Sequence, residues 1–272
     1  VRRLDIDLTS YSASERTFVD LFEIYGRESL ITEFLLGLER EDATVKAFKE
    51  FAGIQKDPFA NREVFLASLH VTTNNDFCET LKRKGLLNLQ SALIEDTPLK
   101  VFFQEHGITV DPNRAELTHQ GKTYKLNPLS RYATGEGEEW HIQQVSFKLY
   151  RDEPVWGFVC SNNVFGYGGH VDKRPEFLKD VGDLVGIPEM VNQWEEQTST
   201  YILKFSLPNR KYDYPKELEF LGDLVVKTVY DYLIHGGPRE NVISYLPIGE
   251  KVRSHEIVFY YTVDEFNRYL DS

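Results

Sequence analysis

Val64-Phe65-Leu66-Ala67-Ser68-Leu69-His70-Val71-Thr72-Thr73, closed by the polar turn Asn74-Asn75-Asp76, is the stretch on which the fold reading turns. A continuous apolar run of β-forming residues that ends in turn formers reads as a buried strand. Phe77, Cys78 and Leu81 then predict the apolar face of a short helix, and Gly85 is placed to stop it, because glycine closes a helix C-terminus without steric cost.

On the N-terminal side, Leu4, Ile6 and Leu8 alternate as in a short strand. From Ser12 to about Ile54 the apolar residues fall at helical intervals, with Phe18, Leu21 and Phe22 followed by Leu30, Phe34, Leu35 and Leu38. Ser12 with Glu15 has the spacing of a capping box, in which a hydroxyl and a carboxylate satisfy free amides at a helix start. Residues 1–60 thus read as a helical subregion and 61–272 as the sheet-containing, catalytic region.

On the C-terminal side, Leu99 to Phe103 suggests a helix, and Glu116 to Leu126 a hairpin turning at His119-Gln120-Gly121-Lys122. Asn127 to Glu139, with Pro128, Gly135 and Gly137, lacks periodicity and reads as a loop, either of the kind that forms lids and binding segments or a plain connector. Strands are expected at Gln144–Tyr150 and Val155–Ser161, joined by the turn Arg151-Asp152-Glu153-Pro154, and at Tyr201–Leu207. Pro215 introduces a helix carrying Leu218, Leu221, Val225, Val229 and Tyr232, stopped by Gly236-Gly237-Pro238. Ile257–Thr262 reads as the last strand, before a short terminal helix. No repeat, low-complexity tract or Gly/Ser linker interrupts the pattern, so a single α+β domain over 1–272 is expected, with mixed or antiparallel sheets and interposed helices.

Composition narrows the function classes. A hydrophobic fraction of 41% with 27% charged residues over 272 residues supplies an ordered core. The 43 acidic against 31 basic residues leave a net charge of -12, which disfavours a nucleic-acid surface, since phosphate binding draws on clustered cations. The densest basic groups, Lys82-Arg83-Lys84 and Arg210, Lys211 and Lys216, read first as solvated faces. Only Cys78 and Cys160 occur, so neither a disulfide framework nor a Cys-rich zinc pattern is expected, and a reducing, cytoplasmic setting fits. No stretch approaches the roughly 20 apolar residues of a membrane span, and Val1-Arg2-Arg3-Leu4-Asp5 is not followed by an apolar signal region.

The phosphate-binding glycine loops, HExxH, GxSxG and the kinase motifs are absent. What remains is Leu69-His70-Val71-Thr72-Thr73 on a strand, followed by a helix ending Lys84-Gly85-Leu86, and near the C-terminus Ser254-His255-Glu256-Ile257-Val258-Phe259. The first resembles the opening motif of ADP-ribosyltransferases of the diphtheria-toxin and poly-ADP-ribose-polymerase class. The second resembles that family's last motif, a catalytic Glu opening an apolar strand.

The resemblance implies NAD as co-substrate. His70 would bond the adenosine ribose, the backbone around Val71 and Thr72 would hold the nicotinamide amide, and Glu256 would bind the nicotinamide ribose and stabilise the charge that develops as nicotinamide leaves. For the family's stacking aromatic the candidate is Tyr167 in Asn163-Val164-Phe165-Gly166-Tyr167-Gly168-Gly169, where glycines permit close approach, although the same glycines suit an ordinary turn. Arg131 and Arg174 are candidates for the NAD phosphates, or else for surface ion pairs. The interval from His70 to Glu256 is long for a minimal core and implies inserted elements, with the Asn127–Glu139 loop and the Pro215–Gly236 helix as candidates.

The resulting expectation is an ADP-ribosyltransferase that modifies a macromolecule, protein rather than nucleic acid, as a toxin or host-interference enzyme with an inhibitory or antitoxin partner. Two alternatives stay open. One is a metal-dependent nuclease whose acidic ligands meet only in three dimensions; the other is a non-enzymatic protein-interaction module, in which His70 is a core histidine and Glu256 an exposed residue at a strand start.

Overall fold

In the computed structural model, residues 1–132, 134–152 and 154–271 are described. The expected apolar run forms the long central strand β2 (Arg62–Asn74). It pairs antiparallel with β7 (Ser199–Pro208) over Phe65 to Asn74. Its other side is shared end to end, parallel to β1 (Arg2–Ile6) in its first half and antiparallel to β6 (Trp156–Cys160) at Leu69. β8 (Val242–Tyr245) adds outside β6, and β9 (Ile257–Thr262) outside β7, completing a mixed six-stranded sheet.

β2 is apolar on both faces because both faces are covered. One core gathers Val64, Leu66, Leu203, Phe205 and Leu207 beneath α1 (Tyr11–Phe22) and α10 (Leu218–His235). The opposite face packs Leu69, Val71, Ile202 and Phe158 against Phe266 of the terminal helix α11 (Val263–Leu270). The N-terminal segment is helical as expected, with α2 (Ser29–Leu35) and α3 (Val45–Ala52) following α1. The cap of α1 is Ser10, which accepts from the Ala13 amide at 3.3 Å, and not Ser12, which lies inside the first turn.

A second core lies between Leu93 and Trp194. It is built from α5 (Leu89–Ile94), α6 (Pro98–Glu105), a small antiparallel sheet of β3 (Ile108–Asp111), β4 (Glu116–His119) and β5 (Lys122–Lys125), and the helices α7 (Glu138–Tyr150), α8 (Glu176–Val185) and α9 (Met190–Gln197). The β4–β5 hairpin turns at the expected Gln120-Gly121. Leu126 to Gly137 carries neither helix nor strand among its described residues; Ala133 lies outside them.

Gln144–Tyr150 is a correction. These residues form the second half of α7, and not a strand. Val145, Phe147 and Leu149 alternate, but Val145 and Leu149 are fully buried and Ile142 packs beside them. Positions 142, 145 and 149 share one helical face at steps of three and four, so the helix buries what a strand would have split between two sides. The hairpin expected through Arg151 to Pro154 therefore does not form; within it, Glu153 lies outside the described residues.

Candidate functional site

The C-terminal half of β2 borders a cleft of about 290 Å³ between the main sheet and the second core. Its walls are His70 to Asn74 of β2, Leu81 and Gly85 to Asn88 around the end of α4 (Glu79–Lys84), Thr97 to Leu99 at the start of α6, and Arg174, Pro175 and Trp194. The volume lies near the lower limit for small-molecule sites, and a mainly apolar wall with a few polar groups is their usual character.

The β2 end is anchored from below. Trp194 is buried, and its indole N–H donates to Thr73 Oγ1 at 2.9 Å, tying the second core to the central strand. His70 donates from Nδ1 to the Trp156 carbonyl at 2.8 Å. A carbonyl only accepts, so Nδ1 carries the proton and Nε2 keeps its lone pair. Burial pushes the imidazole pKa down, against the raising effect of that bond, so His70 is a neutral acceptor at pH 7.

Arg174 is buried in the wall, donates to the Gly169 carbonyl at 3.2 Å and faces Glu195 at 3.5 Å. Its Nε is enclosed without a hydrogen bond, as is Asp76 Oδ1 on the opposite rim. Asp76 otherwise accepts from the Thr80 amide at 2.9 Å. Phe77 departs from expectation. It is 77% exposed and, like Cys78, has positive φ, because α4 begins only at Glu79 and leaves Phe77 in the turn.

Of the residues implied as NAD contacts, His70, Val71, Thr72 and Arg174 share the cleft, whereas the exposed Arg131 is not among its lining residues. Tyr167 and Glu256 do not line it either. Tyr167 packs edge-on against Phe158 at 5.6 Å. Phe158 is paired with Leu69 and shares its face, the one opposite His70, so His70 and Tyr167 attach to different faces of the sheet. Glu256 sits at the start of β9, separated from β2 by β7, or about 10 Å across the sheet.

The two motifs nevertheless touch. Leu86 donates to the Val252 carbonyl at 2.9 Å and accepts from the Val252 amide at 3.0 Å, which brings the Gly-Leu step against the segment leading to Glu256. The Glu256 carboxylate accepts from the Arg253 amide at 2.8 Å and is bonded to Lys211. Burial alone would raise its pKa, but the Lys211 and Arg253 bonds and the charges of Lys211 and His255 outweigh it and hold the carboxyl below the usual range.

The remaining candidates resolve into packing and surface pairs. Burial pushes both thiols up, Cys160 to about 11, which disfavours the thiolate of each at neutral pH. Lys82, Lys84, Arg210, Lys211 and Lys216 each face a carboxylate, so these cations are locally balanced. Among the described residues, no three His, Cys, Asp or Glu side chains gather as a metal-binding group, and no helix is long and apolar enough to cross a membrane. Asp76 reaches the cleft from the turn that closes β2, whereas Asn88, the cap of α5, and Trp194 of α9 carried no sequence signal, because separate helices bring them to β2. No protein-family model, curated protein or solved structure matches the chain.

Proposed function

We propose that the cleft binds NAD and that the chain transfers its ADP-ribose to a macromolecular acceptor, with a protein as the default acceptor given the net charge of -12. The observation that carries this reading is the shared location of His70, Val71, Thr72, Gly85, Leu86 and Arg174 in one cleft. The neutral His70 has a free Nε2 to accept from a ribose hydroxyl, and the Arg174 guanidinium suits a phosphate.

A cleft of about 290 Å³ is small for a dinucleotide, so the ligand extends over its rim at Gly85, which touches Val252 and Ser254 on the way to Glu256. In the reaction the bond between the ribose and nicotinamide breaks, and its electron pair leaves with nicotinamide. An acceptor nucleophile then bonds the ribose carbon and releases its proton. Glu256, held ionised, opposes the positive charge that develops on the ribose. For this it must exchange its bond to Lys211 for one to the ribose. Tyr167 and Arg131 have no role in the proposal.

The test is binding and turnover with labelled NAD. Nicotinamide release is expected from the unaltered chain, Arg174→Ala should weaken NAD binding by about tenfold or more, and Glu256→Gln should abolish release while binding persists. Absence of NAD binding at millimolar concentration, or full turnover by Glu256→Gln, refutes the reading.

A further inference from the structure

The wall of the cleft also holds a side chain whose polar end is left over. Asn88 is 4% exposed and borders the cleft between Leu87 and Leu89. Its Oδ1 accepts from the Ser91 amide at 2.8 Å and so caps α5. Only the oxygen of a carboxamide accepts, so this bond fixes which end of the group is Oδ1 and leaves Nδ2 on the side away from the capped amide. Among the described residues Nδ2 makes no hydrogen bond, and unlike Arg174 Nε it is not sealed off by the protein.

The backbone around Asn88 is held from both directions. Two residues before it, Leu86 exchanges hydrogen bonds of 2.9 and 3.0 Å with Val252, and its own carbonyl accepts from the Ala92 amide at 2.9 Å. Asp, Ser or Thr would cap the helix as well; what Asn adds is a donor. His70 supplies the complement, because its Nδ1 is committed to Trp156 and its Nε2 accepts. A donor and an acceptor in one cleft, each with its other end tied to the protein, match two neighbouring hydroxyls of which one accepts and the other donates.

We propose that Asn88 Nδ2 donates to one hydroxyl oxygen of the adenosine ribose while the adjacent hydroxyl donates to His70 Nε2, so that Asn88 selects a ligand with an intact ribose diol. The assignment rests on the NAD reading of the cleft. Asn88 acts there on affinity, remote from the bond that breaks.

Titration calorimetry with NAD, and with NAD analogues lacking the 2'- or the 3'-hydroxyl of the adenosine ribose, tests it. Asn88→Ser removes the donor without adding charge and should weaken NAD binding about tenfold; Asn88→Asp should weaken it at least as much. Both substitutions retain a capping oxygen, so the circular dichroism melt should persist and report that the variants fold. One of the two analogues should bind the unaltered chain about as weakly as NAD binds Asn88→Ser, and should lose nothing more in that variant. Equal affinity of the unaltered chain for NAD and both analogues overturns the proposal without recourse to a variant. NAD binding that both folded variants leave unchanged, or losses from analogue and variant that add in full, overturns it too while the NAD reading stands. Absence of NAD binding at millimolar concentration overturns both.

Discussion

Gly85 approaches Val252 so closely that a β carbon on it would lie 2.1 Å from the Val252 carbonyl oxygen and 2.9 Å from the Ser254 amide nitrogen. With φ at +84°, the position suits glycine alone on both counts. This contact lets the two sequence motifs meet. Gly85→Ala should therefore cost at least about 2 kcal/mol by urea unfolding and separate Leu86 from Val252. Gly237→Ala, which meets nothing within 4 Å and has no positive φ, should stay near neutral. Equal losses for the two would show that the Gly85 contact does not constrain the fold.

His70 should make the fold acid-sensitive. Its folded pKa lies below the ordinary 6.5, so as pH falls below that value the unfolded chain takes up a proton that the folded chain refuses. Stability is intact above about pH 6.5 and falls with acid until the folded pKa is reached. Melting temperature should drop between pH 7 and 5, and His70→Asn, which retains a donor toward the Trp156 carbonyl, should flatten that slope. An unchanged slope in the variant would assign the acid sensitivity elsewhere.

Trp194 has its indole N–H satisfied by Thr73 Oγ1 in a fully buried setting. Thr73→Val preserves shape and removes the acceptor, so the cost should be about 1 to 3 kcal/mol. Thr73→Ser keeps the oxygen and should recover most of it. Chemical unfolding followed by tryptophan fluorescence measures both.

Asp7 and Lys204 form a 2.5 Å ion pair in which the lysine side chain is 8% and the aspartate 23% exposed, and Lys204 also donates to the Tyr269 hydroxyl at 2.8 Å. Asp7→Ala leaves an enclosed ammonium without its counter-charge and should cost about 2 to 3 kcal/mol. The pair of Arg3 and Asp5, more than half exposed on both sides, offers the contrast. Asp5→Ala should cost less than about 1 kcal/mol, and a ranking in the opposite order would deny Asp7 its role in the clasp between β7 and α11.

Local signals in the sequence were enough for many elements. The apolar run at Val64–Thr73, the strands at Tyr201–Leu207 and Ile257–Thr262, the helix that follows Pro215 and ends at Gly236, and the Gln120-Gly121 turn all lie where their patterns predict, because strand propensity, caps and turn residues act within a few neighbours. The same locality misled at Gln144–Tyr150, where alternation over seven residues imitates a strand and only the wider window including Ile142 reveals the helical face.

The chain's own order of residues thus determined an α+β protein with a strand bearing His70, a glycine-ended helix and a late apolar strand behind Glu256. Tertiary structure alone decided which faces meet. Pairing of Leu69 with Phe158 directs Tyr167 away from His70, the second core carries Trp194 and Arg174 to the end of β2, and the Leu86–Val252 contact brings the distant motifs together while Lys211 holds the carboxylate of Glu256. Alternation fixes which residues share a side of a strand, but register and neighbours are set by contacts between segments far apart in the chain, and no local pattern encodes them.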